Sequence, residues 1–377
     1  MKRSLLFLLF VVILLLNFFS GTALALPEIT AKSAILIDGA SGRVLYEQNA
    51  HERLPQASTT KITTALVALE NAKLTDRIYI PYDFINPGES SIYLEPGEVH
   101  TLEDLMYSLL LKSANDAGDA IAIGVAGSVE KFLDLMNQKV RDLGLKNTHY
   151  ANTHGLHHED HYSSAYDLAM ITREVIQHNE FRKIITTKRH TLPWAGNEYQ
   201  RVVYNGNKLL NNYEGADGVK TGYTRQAGSC LVGSATRNGM QLIAVVLNCN
   251  NMYDEVAKLL DYGFQNYQKK DFFYKHQVVQ EIIVKGGKEE KIKVLADKAL
   301  SIALTEEELA QAEQSLYLPE EVKAPVKKGQ RMGAAVIKIN DKITLTTELI
   351  ASHDVEKRSF FSSLWYKICG KIFSFST

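Results

Sequence analysis

A serine and a lysine stand three residues apart, at Ser58 and Lys61, directly before an apolar helical pattern that begins at Ile62. On a helix this spacing places both side chains on one face, about one turn apart. A serine hydroxyl needs a base to become a nucleophile, and an amine at that distance can accept its proton. The S-x-x-K pattern therefore indicates acyl transfer. The alternative interpretation is an ordinary capping serine beside a solvated lysine.

Two further motifs carry groups suited to the same chemistry. In the S-x-N motif, Ser113 and Asn115 lie between two apolar helical runs, where a hydroxyl can relay a proton and a carboxamide can hold an amide carbonyl. The K-T-G motif of Lys220, Thr221 and Gly222 lies in a predicted strand. There the lysine and threonine can bind a carboxylate, and the glycine lets another backbone approach closely. Each motif alone fits an ordinary loop or edge strand, but their joint occurrence in this order makes coincidence improbable.

The ordered triplet is that of the penicillin-recognising serine enzymes. The chain resembles the low-molecular-weight penicillin-binding proteins that act as D-alanyl-D-alanine carboxypeptidases. Nearly the whole sequence shares this resemblance, including GRVLYE (42–47), NTHGL (152–156), GADGVKTGYT (215–224) and APVKKGQ (324–330). The resemblance implies an α+β fold, in which a β-lactamase/transpeptidase-like domain precedes a small all-β domain.

The resemblance also implies a role for each motif residue in cleaving a peptidoglycan stem peptide that ends in D-Ala-D-Ala. Ser58 would attack the carbonyl between the two D-alanines and form an acyl-enzyme, with Lys61 as the proton acceptor. Ser113 would pass the proton to the departing D-alanine, and Asn115 would bind the substrate amide. β-Lactam antibiotics would act as inhibitors through the same serine, and no cofactor is expected.

The third motif is expected to bind the substrate's end. By the same resemblance, Lys220 and Thr221 would hold the terminal carboxylate. Gly222 would leave room for close approach, and the backbone N–H groups of Ser58 and Tyr223 would form the oxyanion hole.

Three other functions fit parts of the pattern. A serine β-lactamase shares all three motifs, but the E-x-x-L-N context of a deacylating glutamate does not occur here. A D,D-endopeptidase would cut beside D-alanine with the same residues. A non-catalytic cell-wall-binding protein would be favoured by a broken motif, and none is broken.

Histidines and cysteines offer rival sites that we interpret as non-functional. The cluster of His154, His157, His158 and His161 lacks H-E-x-x-H spacing, so we predict a loop at the rim of the site and no metal. Asn238-Gly239 indicates a two-residue hairpin turn, whose register places Cys230 and Cys249 diagonally. Diagonal neighbours lie roughly 7–8 Å apart, farther than a disulfide spans. Free thiols are therefore expected.

The elements that position these motifs mix strands and helices between residues 26 and 268. Strand patterns come first and last, at 34–46 and 230–247, with helical patterns between them. This order predicts an antiparallel sheet, completed at its edge by both ends of the domain and covered by helices. One helix is expected to begin after Ser128 as its N-cap and to end at Gly144.

The two ends of the chain predict export and membrane attachment. Residues 1–25 combine a basic start, an apolar run and a small-x-small end, which is typical of a signal peptide; an uncleaved anchor is the alternative. A small all-β domain is predicted at 274–352, followed by a charged linker. An amphipathic helix within 355–377 would attach the protein to the outer face of the cytoplasmic membrane; a terminal helix packed on its own domain is the alternative. With 42 basic and 43 acidic residues among 377, no nucleic-acid partner is expected.

Overall fold

The computed structural model describes residues 26–194, 199–340 and 342–358. The predicted signal peptide (1–25) and most of the predicted amphipathic segment (359–377) lie outside these residues. Within the described ranges, no helix has the length and apolar character that a membrane crossing requires.

The first part of the chain is α+β, as predicted. Its strands are β1 (Ser33–Asp38), β2 (Val44–Gln48), β3 (Arg77–Tyr79), β4 (Val99–Thr101), β5 (Arg189–Leu192), β6 (Arg201–Tyr204), β7 (Ala216–Thr224), β8 (Gly228–Arg237) and β9 (Met240–Leu247). Its helices are α1 (Lys61–Asn71), α2 (Leu102–Tyr107), α3 (Asn115–Ala126), α4 (Val129–Asp142), α5 (Ala165–Val175), α6 (Asn179–Thr186), α7 (Leu209–Asn212) and α8 (Met252–Asn266). A 3₁₀ turn (Ala57–Thr60) precedes α1, and a π turn (Ser108–Lys112) follows α2.

Five strands form an antiparallel sheet in the order β2-β1-β9-β8-β7. Strand β1 pairs with β9, so the two ends of the domain meet inside the sheet. The prediction that they complete its edge is therefore wrong, because β2 and β7 are the edge strands. The hairpin at Asn238-Gly239 has the predicted register, with Arg237 opposite Met240. Cys230 and Cys249 are buried free thiols, as predicted.

The sheet is buried on both faces, which explains the nearly continuous apolar runs of its central strands. On one face, Ile35 and Ile243 pack in the larger core with α1, α3 and α5. On the other, Leu36 and Leu242 pack with α8. Helix α4 begins after its predicted cap, since Ser128 Oγ accepts a hydrogen bond from Lys131 N at 3.3 Å.

The C-terminal part is mostly β. It contains β10 (Gln268–Phe273), β11 (Val278–Lys285), β12 (Lys291–Ala296), β13 (Leu300–Leu304), β14 (Ala312–Tyr317), β15 (Glu321–Lys323), β16 (Arg331–Ile339), β17 (Lys342–Ala351) and the short helix α9 (Glu306–Ala310). Six strands form one sheet in the order β14-β16-β17-β12-β11-β15, and β10 pairs with β13. Arg43 joins the two parts, because its guanidinium donates to Ala303 O at 2.9 Å and pairs with Glu308.

The charged stretch 353–358, predicted to be a linker, belongs to the β domain. Val355 is 1% exposed and exchanges backbone hydrogen bonds of 2.8 and 2.9 Å with Val326. Arg358 N donates to Gly286 O at 2.8 Å. In an extended segment alternate side chains point in opposite directions. Val355 can therefore be buried while the charged residues beside it stay at the surface. The ordered β domain therefore extends at least to Arg358.

Candidate active site

Ser58 and Lys61 meet at the start of helix α1. Ser58 lies in the 3₁₀ turn that leads into the helix, and Lys61 is the first residue of α1. Lys61 Nζ lies within hydrogen-bonding distance of Ser58 Oγ, at 3.0 Å. The ordinary interpretation of the S-x-x-K motif does not hold, because Ser58 is not the cap of α1 and Lys61 is fully buried rather than solvated.

The Lys61 amine has three hydrogen-bonding partners. Besides Ser58 Oγ, it contacts Asn115 Oδ1 at 2.7 Å and His154 O at 2.6 Å. Burial, reinforced by the nearby charge of Lys220, lowers the pKa of Lys61 well below its usual range. Burial acts this way because removing water penalises the charged ammonium form. Lys61 can therefore serve as a neutral amine that donates its two N–H bonds to Asn115 and His154 and accepts the Ser58 proton through its lone pair.

The S-x-N motif forms the junction between a π turn and helix α3. Ser113, half-buried, has a left-handed backbone (φ 65°), and Asn115 is the first residue of the helix. Asn115 holds Lys61 through its Oδ1, and its Nδ2 donates to Gly88 O at 2.9 Å. A carboxamide has two lone pairs and two N–H bonds, so Asn115 keeps capacity for a substrate amide.

The K-T-G motif lies on edge strand β7, next to the 3₁₀ turn. A Cβ on Gly222 would lie 2.9 Å from Ser58 N, so only glycine lets the strand approach this closely. Lys220 is 2% exposed and donates to Thr221 O at 2.8 Å; burial lowers its pKa to about 7. Thr221 is half-buried, whereas the Tyr223 side chain is exposed.

The loop that contains the histidines lies beneath the start of helix α1. The prediction of a loop at the rim of the site is wrong for two of its histidines, because they are buried. His154 and His161 are buried, and His161 Nε2 lies 2.8 Å from Thr60 Oγ1. Burial lowers the pKa of both imidazoles to about 3, so both are neutral at physiological pH. His157 and His158 are exposed. Among the residues that the structure describes, no cluster of His, Cys, Asp or Glu has a metal-binding arrangement.

Three further residues support the site, and the sequence analysis gave none of them a role in it. Gly155 has φ 97°, and a Cβ there would lie 1.9 Å from Ala57 O. Asp116 accepts hydrogen bonds from Ile92 N and Leu94 N, and thereby holds the loop that contacts Asn115. Asp119 accepts from Thr153 Oγ1 at 2.6 Å, and burial raises its pKa to about 6. The sequence did contain evidence for Asp116 and Asp119, since both stand in an alanine-rich, otherwise apolar helix. Carboxylates are rarely buried without partners, so their presence there indicates specific contacts.

The arrangement combines the parts that acyl transfer requires. It has a hydroxyl hydrogen-bonded to a buried amine, an edge strand packed against the backbone N–H of the same serine, and a second amine close enough to repel the first. These groups come from a helix start, a helix junction, an edge strand and a loop that are far apart in sequence.

Comparison with known proteins matches two families along the chain. Residues 20–251 match the peptidase S11 family, described as D-alanyl-D-alanine carboxypeptidase. Residues 267–357 match the penicillin-binding protein 5 C-terminal domain. The second match includes the strands and the Val355 pairing described above. The resemblance predicted from the three motifs is confirmed.

Individual relatives match over most of their lengths. The D-alanyl-D-alanine carboxypeptidase DacF of Bacillus subtilis (strain 168) is 35% identical over 343 residues, covering 89% of this chain and 88% of the relative. The D-alanyl-D-alanine carboxypeptidase DacC of Escherichia coli (strain K12) is 34% identical over 371 residues, covering 90% of this chain and 88% of the relative. The crystal structure of penicillin binding protein 5 from Haemophilus influenzae has a TM-score of 0.73 at 31% identity, covering 88% of this chain and 99% of that one.

Proposed function

This chain belongs to the D-alanyl-D-alanine carboxypeptidase family, and from that premise we propose that it removes the terminal D-alanine of peptidoglycan stem peptides through an acyl-enzyme on Ser58. The observation that carries the proposal is the fully buried Lys61 amine, hydrogen-bonded at once to Ser58 Oγ and Asn115 Oδ1. A buried neutral amine at 3.0 Å is a base within reach of the nucleophile's proton. β-Lactams would acylate the same hydroxyl and inhibit the enzyme.

In the acylation step, Ser58 Oγ attacks the carbonyl carbon between the two D-alanines while Lys61 takes the hydroxyl proton. The negative charge that develops on the carbonyl oxygen is bound by the N–H groups of Ser58 and Tyr223. Their proximity is supported by the close packing of Gly222 against Ser58 N. The C–N bond then breaks, and the proton passes through Ser113 to the nitrogen of the departing D-alanine.

Deacylation reverses these roles with water as the nucleophile. A water molecule occupies the place that D-alanine has left and gives a proton to Lys61. Its oxygen attacks the ester, and Ser58 Oγ recovers a proton as the shortened peptide leaves. Asn115 would hold the amide of the acyl group in place during both steps.

Lys220 and Thr221 are proposed to bind the substrate's terminal carboxylate. The Lys220 amine is buried beside the nucleophile's turn and contacts a carbonyl of its own strand. An incoming carboxylate favours the ammonium form, which raises the pKa of Lys220 above its value in the free enzyme. A substrate without this carboxylate would leave the buried Lys220 ammonium without an anionic partner, and the site would therefore select the free C-terminus.

The direct test compares Ser58→Ala and Lys61→Ala with Ser128→Ala, a serine that caps helix α4 outside the site. Both site variants should lose penicillin labelling and D-alanine release by several orders of magnitude, because nucleophile and base act as one unit. Ser128→Ala should keep both activities and lose about 1 kcal/mol of stability. Activity of folded Ser58→Ala within tenfold of the parent would refute the assignment.

We further propose that the enzyme acts outside the cytoplasmic membrane. Residues 1–25 would direct export, and the apolar stripe of the segment beyond Arg358 would attach the protein to the membrane surface. The support is the sequence pattern: Trp365 and Ile368 share one helical face, while Lys367 and Lys371 lie off it and suit anionic head groups.

A further inference from the structure

Exposed apolar side chains concentrate in three segments of the α+β domain. Among the described residues from 26 to 268, eleven large apolar side chains are exposed, and nine of them lie at 79–99, at 199–204 and at Tyr223. Six of these nine are tyrosines, here called the tyrosine rim: Tyr79, Tyr82, Tyr93, Tyr199, Tyr204 and Tyr223. Single exposed apolar residues are normal, but such a concentration indicates a binding surface.

All three segments border the candidate active site. The segment 79–99 reaches it through Gly88 O, which accepts the Asn115 Nδ2 hydrogen bond. The hairpin containing 199–204 is joined to this loop by Arg201, whose guanidinium donates to Tyr93 O at 2.6 Å. Tyr223 directly follows Gly222, which packs against Ser58 N. The segments that carry the tyrosine rim are therefore joined to the site that would hold the stem peptide.

The backbone that carries the tyrosine rim is held by buried polar contacts. Arg201 makes hydrogen bonds of 2.6 and 2.7 Å to the two carboxylate oxygens of Glu98, and both side chains are 6% exposed. Such bidentate pairs are geometrically specific. On the surface, the rings of Tyr79 and Tyr82 meet edge to face at 6.1 Å. The tyrosines are thus presented on a fixed scaffold, which lowers the entropy cost of binding.

We propose that the tyrosine rim binds the glycan strand to which the stem peptide is attached, an inference that rests on the function proposed above. A tyrosine offers an apolar ring face and a polar hydroxyl. A pyranose ring offers the complementary pair, a face of C–H bonds and an edge of hydroxyls. A stem peptide in the site would bring its glycan to the site's border, where the rim lies.

In the rim's longest segment, 79–99, the charge favours this occupant over a lipid head group. Between Tyr79 and Glu98 the sequence contains no lysine or arginine, and Asp83, Glu89 and Glu95 are exposed. Anionic lipids attract basic segments and are repelled by acidic ones. N-acetylated sugars whose lactyl group is joined to the peptide are uncharged, so they meet no such repulsion.

The test uses the full chain with two double variants. Tyr82→Ala/Tyr204→Ala removes rim side chains that are 82% and 62% exposed. The matched control, Tyr274→Ala/Tyr317→Ala, removes tyrosines of the β domain that are 66% and 56% exposed. D-Alanine release is measured from a soluble stem pentapeptide and from uncross-linked glycan strands carrying the same pentapeptide. Co-sedimentation with glycan strands that are stripped of peptide by an amidase, and then amidated so that the freed lactyl carboxylates carry no charge, measures binding without turnover.

For the rim variant, kcat/KM should fall about tenfold on the glycan-linked substrate, from two aromatic contacts, and stay unchanged on the soluble peptide. It should also lose binding to the stripped glycan, and the control should match the parent in every assay. If the rim variant matched the parent on both substrates and in glycan binding, the rim inference alone would be overturned. It would also be overturned if ultracentrifugation showed a dimer that the rim variant does not form. The same holds if the parent bound anionic vesicles instead of glycan, and the rim variant lost that binding. Absence of D-alanine release by the parent from either substrate would refute the proposed function, while the sedimentation result still decides the rim.

Discussion

Substituting alanine for Gly155 should disable the nucleophile without touching any motif residue. The backbone of Gly155 lies directly under the 3₁₀ turn, where a Cβ would come 1.9 Å from Ala57 O and 2.8 Å from Ser58 N. Backbone atoms cannot rotate away as the end of a side chain can. Either the loop or the turn that carries Ser58 must therefore move.

The size of the effect follows from these distances. Ordinary contact with a Cβ begins at 3.4 Å, so the two backbones must separate by about 1.5 Å. A displacement of about 1 Å at a reacting group costs roughly 10²-fold in rate. We therefore expect acylation by fluorescent penicillin to slow by at least about 10²-fold. The left-handed backbone at Gly155 adds about 1–2 kcal/mol of strain with any side chain.

Gly127→Ala separates strain from displacement, because Gly127 has φ 84° and no atom within 4 Å of its missing Cβ. It should lose stability by about 1–2 kcal/mol and acylate normally. Gly222→Ala supplies the opposite case, since its Cβ would crowd Ser58 N at 2.9 Å with no left-handed backbone. Stopped-flow labelling and thermal unfolding are measured on all three variants. The reasoning is refuted if folded Gly155→Ala and Gly222→Ala both acylate within threefold of the parent.

Three other predictions follow from the same structure. The pH profile of kcat/KM should be bell-shaped. Activity should fall at low pH because Lys61 becomes protonated, and at high pH because Lys220 loses its charge from about 7 upward. Lys220→Arg should remove only the loss at high pH, because arginine keeps its charge there. A chain ending at Arg358 should keep its turnover of soluble peptide and lose sedimentation with anionic vesicles, whereas a chain ending at Asp354 should be less stable because it lacks the buried Val355. The penicillin adduct should outlast the peptide acyl-enzyme by orders of magnitude, because the tethered leaving group obstructs water; turnover at many cycles per second, followed by loss of label, would instead indicate a β-lactamase.

Features set by local spacing could be predicted from the sequence. The Asn238-Gly239 turn fixed its hairpin's register, because a two-residue loop permits one pairing, and that pairing kept the two thiols apart. Ser58 and Lys61 were predicted to meet because one helical turn separates them. Each of these predictions depends on residues that are near each other in the chain.

Features set by burial could not be predicted in this way. His154 accepts a hydrogen bond from Lys61 through its backbone carbonyl. Every residue has such a carbonyl, so the identity of the side chain gave no indication of this contact. Val355 stands alone among charged residues, and only its pairing with Val326 shows that it belongs to the core. Strand β10 was overlooked because its first four residues, at 268–271, are polar. Its partner β13 supplies most of the buried apolar residues of this strand pair.

Burial also explains how two lysines in one site can hold different protonation states. Both amines are buried, and both therefore have lowered pKa values. Their mutual repulsion means that a proton on one disfavours a proton on the other. In the function proposed above, the substrate carboxylate would decide between them, because it would pair with Lys220 and stabilise the ammonium there. Lys61, hydrogen-bonded to Asn115 and to the carbonyl of His154, would then be left neutral beside Ser58. Binding the correct C-terminus would thus prepare the proposed base at the moment when its nucleophile has a carbonyl to attack.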